Sequence, residues 1–203
     1  MLAGAATYLA LPDAFTLGPR YLAPAIVTVA LVGLTSFSRY RAEGEARWLR
    51  IAAIGVIVVV ALGNLLTLGL LLDGLLRGPV LDRPAVTGLP LLRGALVIWV
   101  ENVIALGLCY WELDRGGPHL RAAGKAGRPD FLFPQMDVTS VAEPGWSPRF
   151  IDYLYTSFTN ASAFSPTDTM PLTPRAKVLM AAQSFSSLVI VVLVTARAVN
   201  ILS

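Results

Sequence analysis

Two sets of residues in this 203-residue chain have types and spacing that could do chemistry. The first is Ser162, Ser165, Pro166, Thr167 and Asp168, which gathers three hydroxyls and a carboxylate around a proline. Oxygen donors of this kind suit a cation, and a ring of Asp168 carboxylates from several copies would favour cations. The same composition also suits a plain turn, in which short polar side chains satisfy loose backbone groups. The second set is Asn64, Glu101, Asn102, Arg197 and Asn200, each embedded in a long apolar stretch. A charged side chain at the centre of a bilayer costs about 2.5–3.5 kcal/mol on insertion scales, so Glu101 calls for a partner or a proton. Arg197, Asn200, Asn64 and Asn102 are the groups that could serve. Such a set works either as a proton or ion relay or as a polar clamp between helices.

Other chemistries lack their residues. Cys109 is the one cysteine and His119 the one histidine, which excludes an internal disulfide and leaves no Cys/His metal cluster. There is no Ser/His/Asp set and no glycine-rich phosphate loop, so neither enzyme activity nor a cofactor is expected. The formal charge is +3, carried mostly by arginines in short loops, and no basic run of the kind that binds nucleic acid occurs. The excess of Arg over Lys, with abundant Ala, Leu and Gly, is the composition of a GC-rich bacterial genome.

The elements that must position these residues are membrane helices. The chain is 55% hydrophobic and 14% charged, with long uncharged runs. Spans are expected at 21–38, 49–72 and 91–111, and the third of these carries Glu101 and Asn102. Residues 1–18 are apolar but short, and they lack a basic leader, so a partial or interfacial helix is expected there rather than a cleaved signal. Tyr110 and Trp111 read as an interface belt. Residues 112–146 read as a long polar loop without a period, in which the stretch Asp130 to Met136 is apolar enough to dock on the membrane surface or on a partner. Ser147 and Pro148 have the chemistry of a helix start, and the helix they open, over 148–163, is too short to cross a core of about 30 Å. It is expected to be re-entrant or interfacial. Thr173 and Pro174 open the last helix, on which Ala182 and Ser186 form a small-residue pair with Gln183 and Ser187 beside them. The expected fold is therefore an all-α integral membrane protein in one domain, with about four transmembrane helices plus a short re-entrant or interfacial helix.

The part from Phe150 to Leu202 resembles the pore module of tetrameric potassium-type ion channels. That module runs outer helix, pore helix, filter loop, inner helix, and its loop reads T-V-G-Y-G-D before a proline and a threonine. Here Ala163-Phe164-Ser165-Pro166-Thr167-Asp168 is followed by Pro171 and Thr173, and Asp168 falls on the filter aspartate. Tyr155, Ser157, Thr159 and Ser162 give the preceding helix a similar polar and aromatic character. The filter itself is degenerate. Ser165 and Thr167 stand at the glycine positions and Pro166 at the tyrosine, and these residues cannot reach the backbone angles that aim carbonyls at an ion. The whole chain is also similar to small bacterial membrane proteins that share segments of the type Tyr110 to Pro118, Phe131 to Gln135 and Phe158 to Lys177, a resemblance that implies no activity.

Two functions follow as expectations. One is a non-enzymatic membrane protein with a channel-like pore module, without a potassium filter, forming homo-oligomers and passing cations weakly. The other is a structural or accessory subunit packed in the bilayer against other membrane subunits. In either case the expected location is the inner (plasma) membrane, with several passes. The arginine-rich loops place 39–50 and 115–149 on the cytoplasmic side, which would make the Asp168 turn open to the cytoplasm.

Overall fold

A computed structural model describes residues 89–137, 143, 145–162 and 168–202, together with six helical residues at 51, 54, 55, 63, 66 and 69. The segment 1–18, the span 21–38, most of the span 49–72, and Asn64, Ser165, Pro166 and Thr167 lie outside the described residues. So do the side chains of Arg197 and Asn200.

The described part is mostly helical. Helix α1 spans Leu89–Leu113. A connecting segment follows, with a 3-10 turn at Asp114–Gly116, helix α2 at Pro118–Ala122, strand β1 at Phe131–Leu132 and helix α3 at Pro134–Asp137. Helix α4 spans Phe150–Ser162, strand β2 is Met170–Pro171, and helix α5 spans Pro174–Leu202. Two stretches, Ala95–Gly116 and Pro174–Val192, are long and apolar enough to cross a membrane.

Helix α4 lies antiparallel along α1, and the register is fixed from end to end. The Trp111 and Phe150 rings meet at 5.8 Å, Ser157 Oγ donates to the Val103 carbonyl at 2.7 Å, and Trp99 Nε1 donates to the Ala161 carbonyl at 3.3 Å. Gly107 makes the close approach possible, because a Cβ there would lie 3.2 Å from Leu154 Cα. The 13 residues of α4 rise about 20 Å, short of the roughly 30 Å core of a bilayer. Its first turn sits beside the end of α1 and its last beside Trp99. By Met170–Pro171 the chain is back at β1, next to the end of α1 where α4 began. Phe150 and Met170–Pro171 thus lie at the same end of α1.

Helix α4 starts two residues later than Ser147 and Pro148 would have it. Asp152 makes the difference: its Oδ2 accepts from the Arg149 backbone N–H at 2.7 Å, the reach-back of a carboxylate in the first turn.

Helix α1 stops abruptly in Asp114-Arg115-Gly116-Gly117. Arg115, Gly116 and Gly117 have φ of 52°, 85° and 97°, a left-handed run that glycine reaches without a Cβ penalty. The last carbonyls of the helix are capped by arginines. Arg121 Nη1 donates to the Trp111 and Asp114 carbonyls at 2.9 and 2.7 Å, and Arg175 Nη2 to the Leu113 carbonyl at 3.3 Å. Cations at this end also complement the negative end of the helix dipole.

The segment 112–146, read as a long polar loop, keeps 122–128 exposed but sends two rings into the core. Phe131 and Phe133 are buried among Tyr110, Tyr153, Ala176 and Met180. The Phe131 and Tyr110 rings meet at 5.1 Å, tilted by 50°, and Phe133 meets Tyr153 edge-on at 5.1 Å. These rings are therefore covered by the chain itself and do not form a docking surface. Tyr110 is likewise buried in the core and not at a lipid interface, since its neighbours there are Phe131 and α5.

Candidate functional site

Two layers of polar residues hold the three long helices together. The deeper one centres on Gln183, which is fully buried on α5. Its Oε1 accepts from Tyr110 O–H at 2.6 Å and Asn160 Nδ2 at 2.9 Å. Its Nε2 donates to Ser157 Oγ at 2.6 Å and to the Ser157 carbonyl at 3.1 Å. One side chain thereby ties α1, α4 and α5. Asn160 Nδ2 also reaches the Met180 carbonyl at 2.9 Å, and Ser184 Oγ donates to Asn160 Oδ1 at 3.1 Å. A turn lower, Asn102 Nδ2 donates to Ser186 Oγ at 2.8 Å. In hydrocarbon no water is at hand to satisfy such groups, so they must find one another.

The outer layer is built from two buried carboxylates. Asp114 Oδ1 accepts from the backbone N–H of Asp130 at 2.7 Å and of Phe131 at 3.3 Å, and its Oδ2 accepts from Tyr153 O–H at 2.5 Å. Asp130 Oδ1 accepts from Thr173 Oγ1 and Arg175 Nε, both at 2.6 Å, while its Oδ2 faces Arg175 Nη2 at 2.5 Å. The Arg175 pairing is bidentate, the geometry that suits a planar guanidinium to a carboxylate. Burial works against the Asp130 charge, but the hydrogen bonds from Arg175 and Thr173 and the Arg175 charge outweigh it and hold the carboxyl below its ordinary range. Burial, together with the Asp114 carboxylate beside it, pushes the Tyr153 phenol up, so it stays a donor. Arg121 lies over the Tyr153 ring at 5.2 Å.

The residues singled out from the sequence fall into different places. Asn102 belongs to the α1–α5 contact. Glu101 is half-buried on α1, and the ion pairs among the described residues, Asp114–Arg115 and Asp130–Arg175, lie at the helix ends and do not include it. Ser162 is exposed and donates to its own helix, at the Phe158 carbonyl, 2.7 Å. Asp168 is exposed, immediately before Thr169, whose hydroxyl accepts from Thr156 Oγ1 on α4 at 3.1 Å. The buried face of α5 runs Ala176, Met180, Gln183, Ser186, Ser187, Ile190. Ala182 is exposed, so the Ala182/Ser186 pair does not form one covered face.

Sequence reasoning missed Asp114, Asp130, Tyr153 and Arg175 altogether and gave Gln183 only a supporting place. Some signal was available. Asp130 stands between a proline and an apolar run, and Arg175 sits in the first helical turn, where a cation is unfavourable unless something holds it.

No protein-family model, curated protein or solved structure matches this chain. Its function must be argued from the geometry.

Proposed function

We propose that this chain is a non-enzymatic, multi-pass protein of the inner membrane whose part from Leu89 to Leu202 works as a channel-like pore module. Copies of it assemble so that their Asp168 turns meet around a path for cations. The observation that supports this reading is the course of the three helices. Helices α1 and α5 are long and apolar enough to cross, α4 runs back alongside α1 for about two thirds of a bilayer core's thickness, and Met170–Pro171 lies again near the end of α1 where α4 began. A segment that enters and leaves by the same face is tolerated where protein or a water-filled cavity covers its backbone. Neighbouring copies around a wet axis provide both. Asp168 is an exposed carboxylate on this return, and a ring of such carboxylates favours cations. Without the filter glycines the path would carry hydrated cations weakly and with little choice among them.

The test has two parts. Native mass spectrometry of the gently extracted protein is expected to give a homo-oligomer, a tetramer if the resemblance to potassium-type channels holds. Liposomes holding the protein are expected to leak cations, and Asp168→Asn to reduce that leak. Flux equal to that of empty liposomes would refute the reading.

A structural or accessory subunit is the second reading, and one observation favours it. The polar groups of the deeper layer satisfy one another, and the exposed side of α5 carries Val178, Phe185, Leu188, Val191 and Val192. That surface suits another membrane subunit as well as lipid. A single copy bound to other chains in the same mass spectrum would select it.

A further inference from the structure

We infer that Asp130 is the positioning residue of the Asp168 turn. The inference deepens the pore reading and rests on it for the role of Asp168. Asp130 lies 38 residues before Asp168 in the chain, in a segment that is not part of any long helix. Yet the residues after Asp168 are anchored one after another, and most of the anchors lead to Asp130 or its neighbours. Thr169 accepts from Thr156 on α4. Met170 and Pro171 pair with Leu132 and Phe131. The Leu172 N–H donates to the Asp130 carbonyl at 2.8 Å. Thr173 and Arg175 both bind the Asp130 carboxylate. Asp168 itself is exposed and immediately precedes these anchored residues.

The carboxylate is in turn fixed from behind. The Asp130 backbone N–H is held by Asp114, which also takes the Tyr153 hydroxyl, and the Arg115 N–H donates to Asp130 Oδ2 at 3.3 Å. The charged or titratable groups around it are thus Asp114 and Arg115 from the end of α1, Tyr153 from α4 and Arg175 from α5. A buried side chain from the segment between α1 and α4 therefore joins the end of α1 to the start of α5, and the residues that follow Asp168 are fastened to that joint. Loops that present a functional group need such a rigid support to hold it in place.

The experiment uses the full chain reconstituted in liposomes. In a Cys109→Ala background, a spin label is placed at Asp168→Cys, and in a separate protein at Ala182→Cys on the exposed side of α5. Adding Asp130→Asn is expected to shorten the rotational correlation time at position 168 by about tenfold, toward free loop motion, and to leave position 182 unchanged. An unchanged signal at 168 in folded Asp130→Asn protein would overturn the inference, as would equal loosening at both positions, which marks general destabilisation. Thr173→Val and Arg175→Lys are milder cuts to the same joint. If Asp130→Asn does not fold, immobile labels at 168 in both would overturn the inference equally. With Asp168 intact, Asp130→Asn is expected to lower the preference for cations over anions in the flux assay. Absence of flux in the unmodified protein would refute the pore reading, while the label at 168 still decides whether Asp130 holds the turn.

Discussion

Replacing Gln183 by leucine removes the one side chain that ties all three long helices, and its cost can be worked out bond by bond. Gln183 makes four hydrogen bonds, to Tyr110, to Asn160 and two to Ser157. Hydrogen bonds inside membrane proteins average about 0.6 kcal/mol each, so their loss alone amounts to roughly 2–3 kcal/mol. The partners do not suffer equally. Ser157 Oγ keeps the Val103 carbonyl and Asn160 keeps the Met180 carbonyl. Tyr110, fully buried, keeps the Asn160 amide at its oxygen but loses the acceptor of its O–H, and a buried donor left without an acceptor adds about 1–3 kcal/mol. Gln183→Leu is therefore expected to cost about 3–5 kcal/mol in all. Tyr110→Phe alone removes one bond and leaves Gln183 Oε1 with Asn160, for about 0.5–1.5 kcal/mol. In the double variant no hydroxyl remains to be stranded, so the two costs must fall short of additive by about 1 kcal/mol or more. Reversible unfolding in mixed micelles, titrated with a denaturing detergent, measures all three. A cost below about 0.5 kcal/mol for Gln183→Leu, or additivity within about 0.3 kcal/mol, would show that Gln183 does not work as the hub.

Gly107→Ala tests the α1–α4 contact. The new methyl would lie 3.2 Å from the Leu154 backbone, which cannot rotate aside, so α4 must shift, and a lower unfolding midpoint worth about 1–2 kcal/mol is expected despite the better helix propensity of alanine. Gly127→Ala points into open space and is expected to change stability by less than about 0.5 kcal/mol; equal effects at the two sites would count against close packing at Gly107. Asp130 predicts a pH dependence. Its carboxyl is held below its ordinary value in the folded protein, so the stability it contributes is fully present above the unfolded pKa and is lost as pH falls through the folded one. The unfolding midpoint should drop below about pH 4, and Asp130→Asn should flatten that part of the profile; identical profiles would remove Asp130 from the account.

The helices were legible in the sequence because their signals are local. Proline and serine or threonine mark where α4 and α5 begin, within two residues, and the span expected at 91–111 is the helix Leu89–Leu113. The shortness of α4 was legible too, since length against bilayer thickness is simple arithmetic. The polar joints were not. Asp114, Asp130 and Arg175 come from three stretches with no shared period, and nothing in any one of them says that they meet. Ranking residues by insertion cost put Glu101 first, because a carboxylate is the most expensive side chain to immerse. Gln183 is cheaper to immerse and ranks low on that scale, yet it accepts and donates at once. That two-sided capacity, and not cost, lets a side chain tie several helices together.

The placing of these joints has a physical reason. Between helices surrounded by lipid there is no hydrophobic driving force, because lipid tails are as apolar as leucine. Helices α1 and α5 could each span alone, but α4 is too short to span and has no independent reason to stay in the layer. Its polar side chains supply one. Ser157 and Asn160 are costly in hydrocarbon and are satisfied against Val103, Met180, Gln183 and Ser184 of the two neighbouring helices. The position of α4 along α1 and α5 is thus set by hydrogen bonds to its neighbours. The end of the return is set separately, outside, by Asp130. A short helix pinned at its second half by one network, and followed by a strand pinned by another, leaves Asp168 between two fixed points. Loosening either network should therefore disturb Asp168 before it disturbs the crossing helices, and this order of failure is what spin labels at positions 168 and 182 can read.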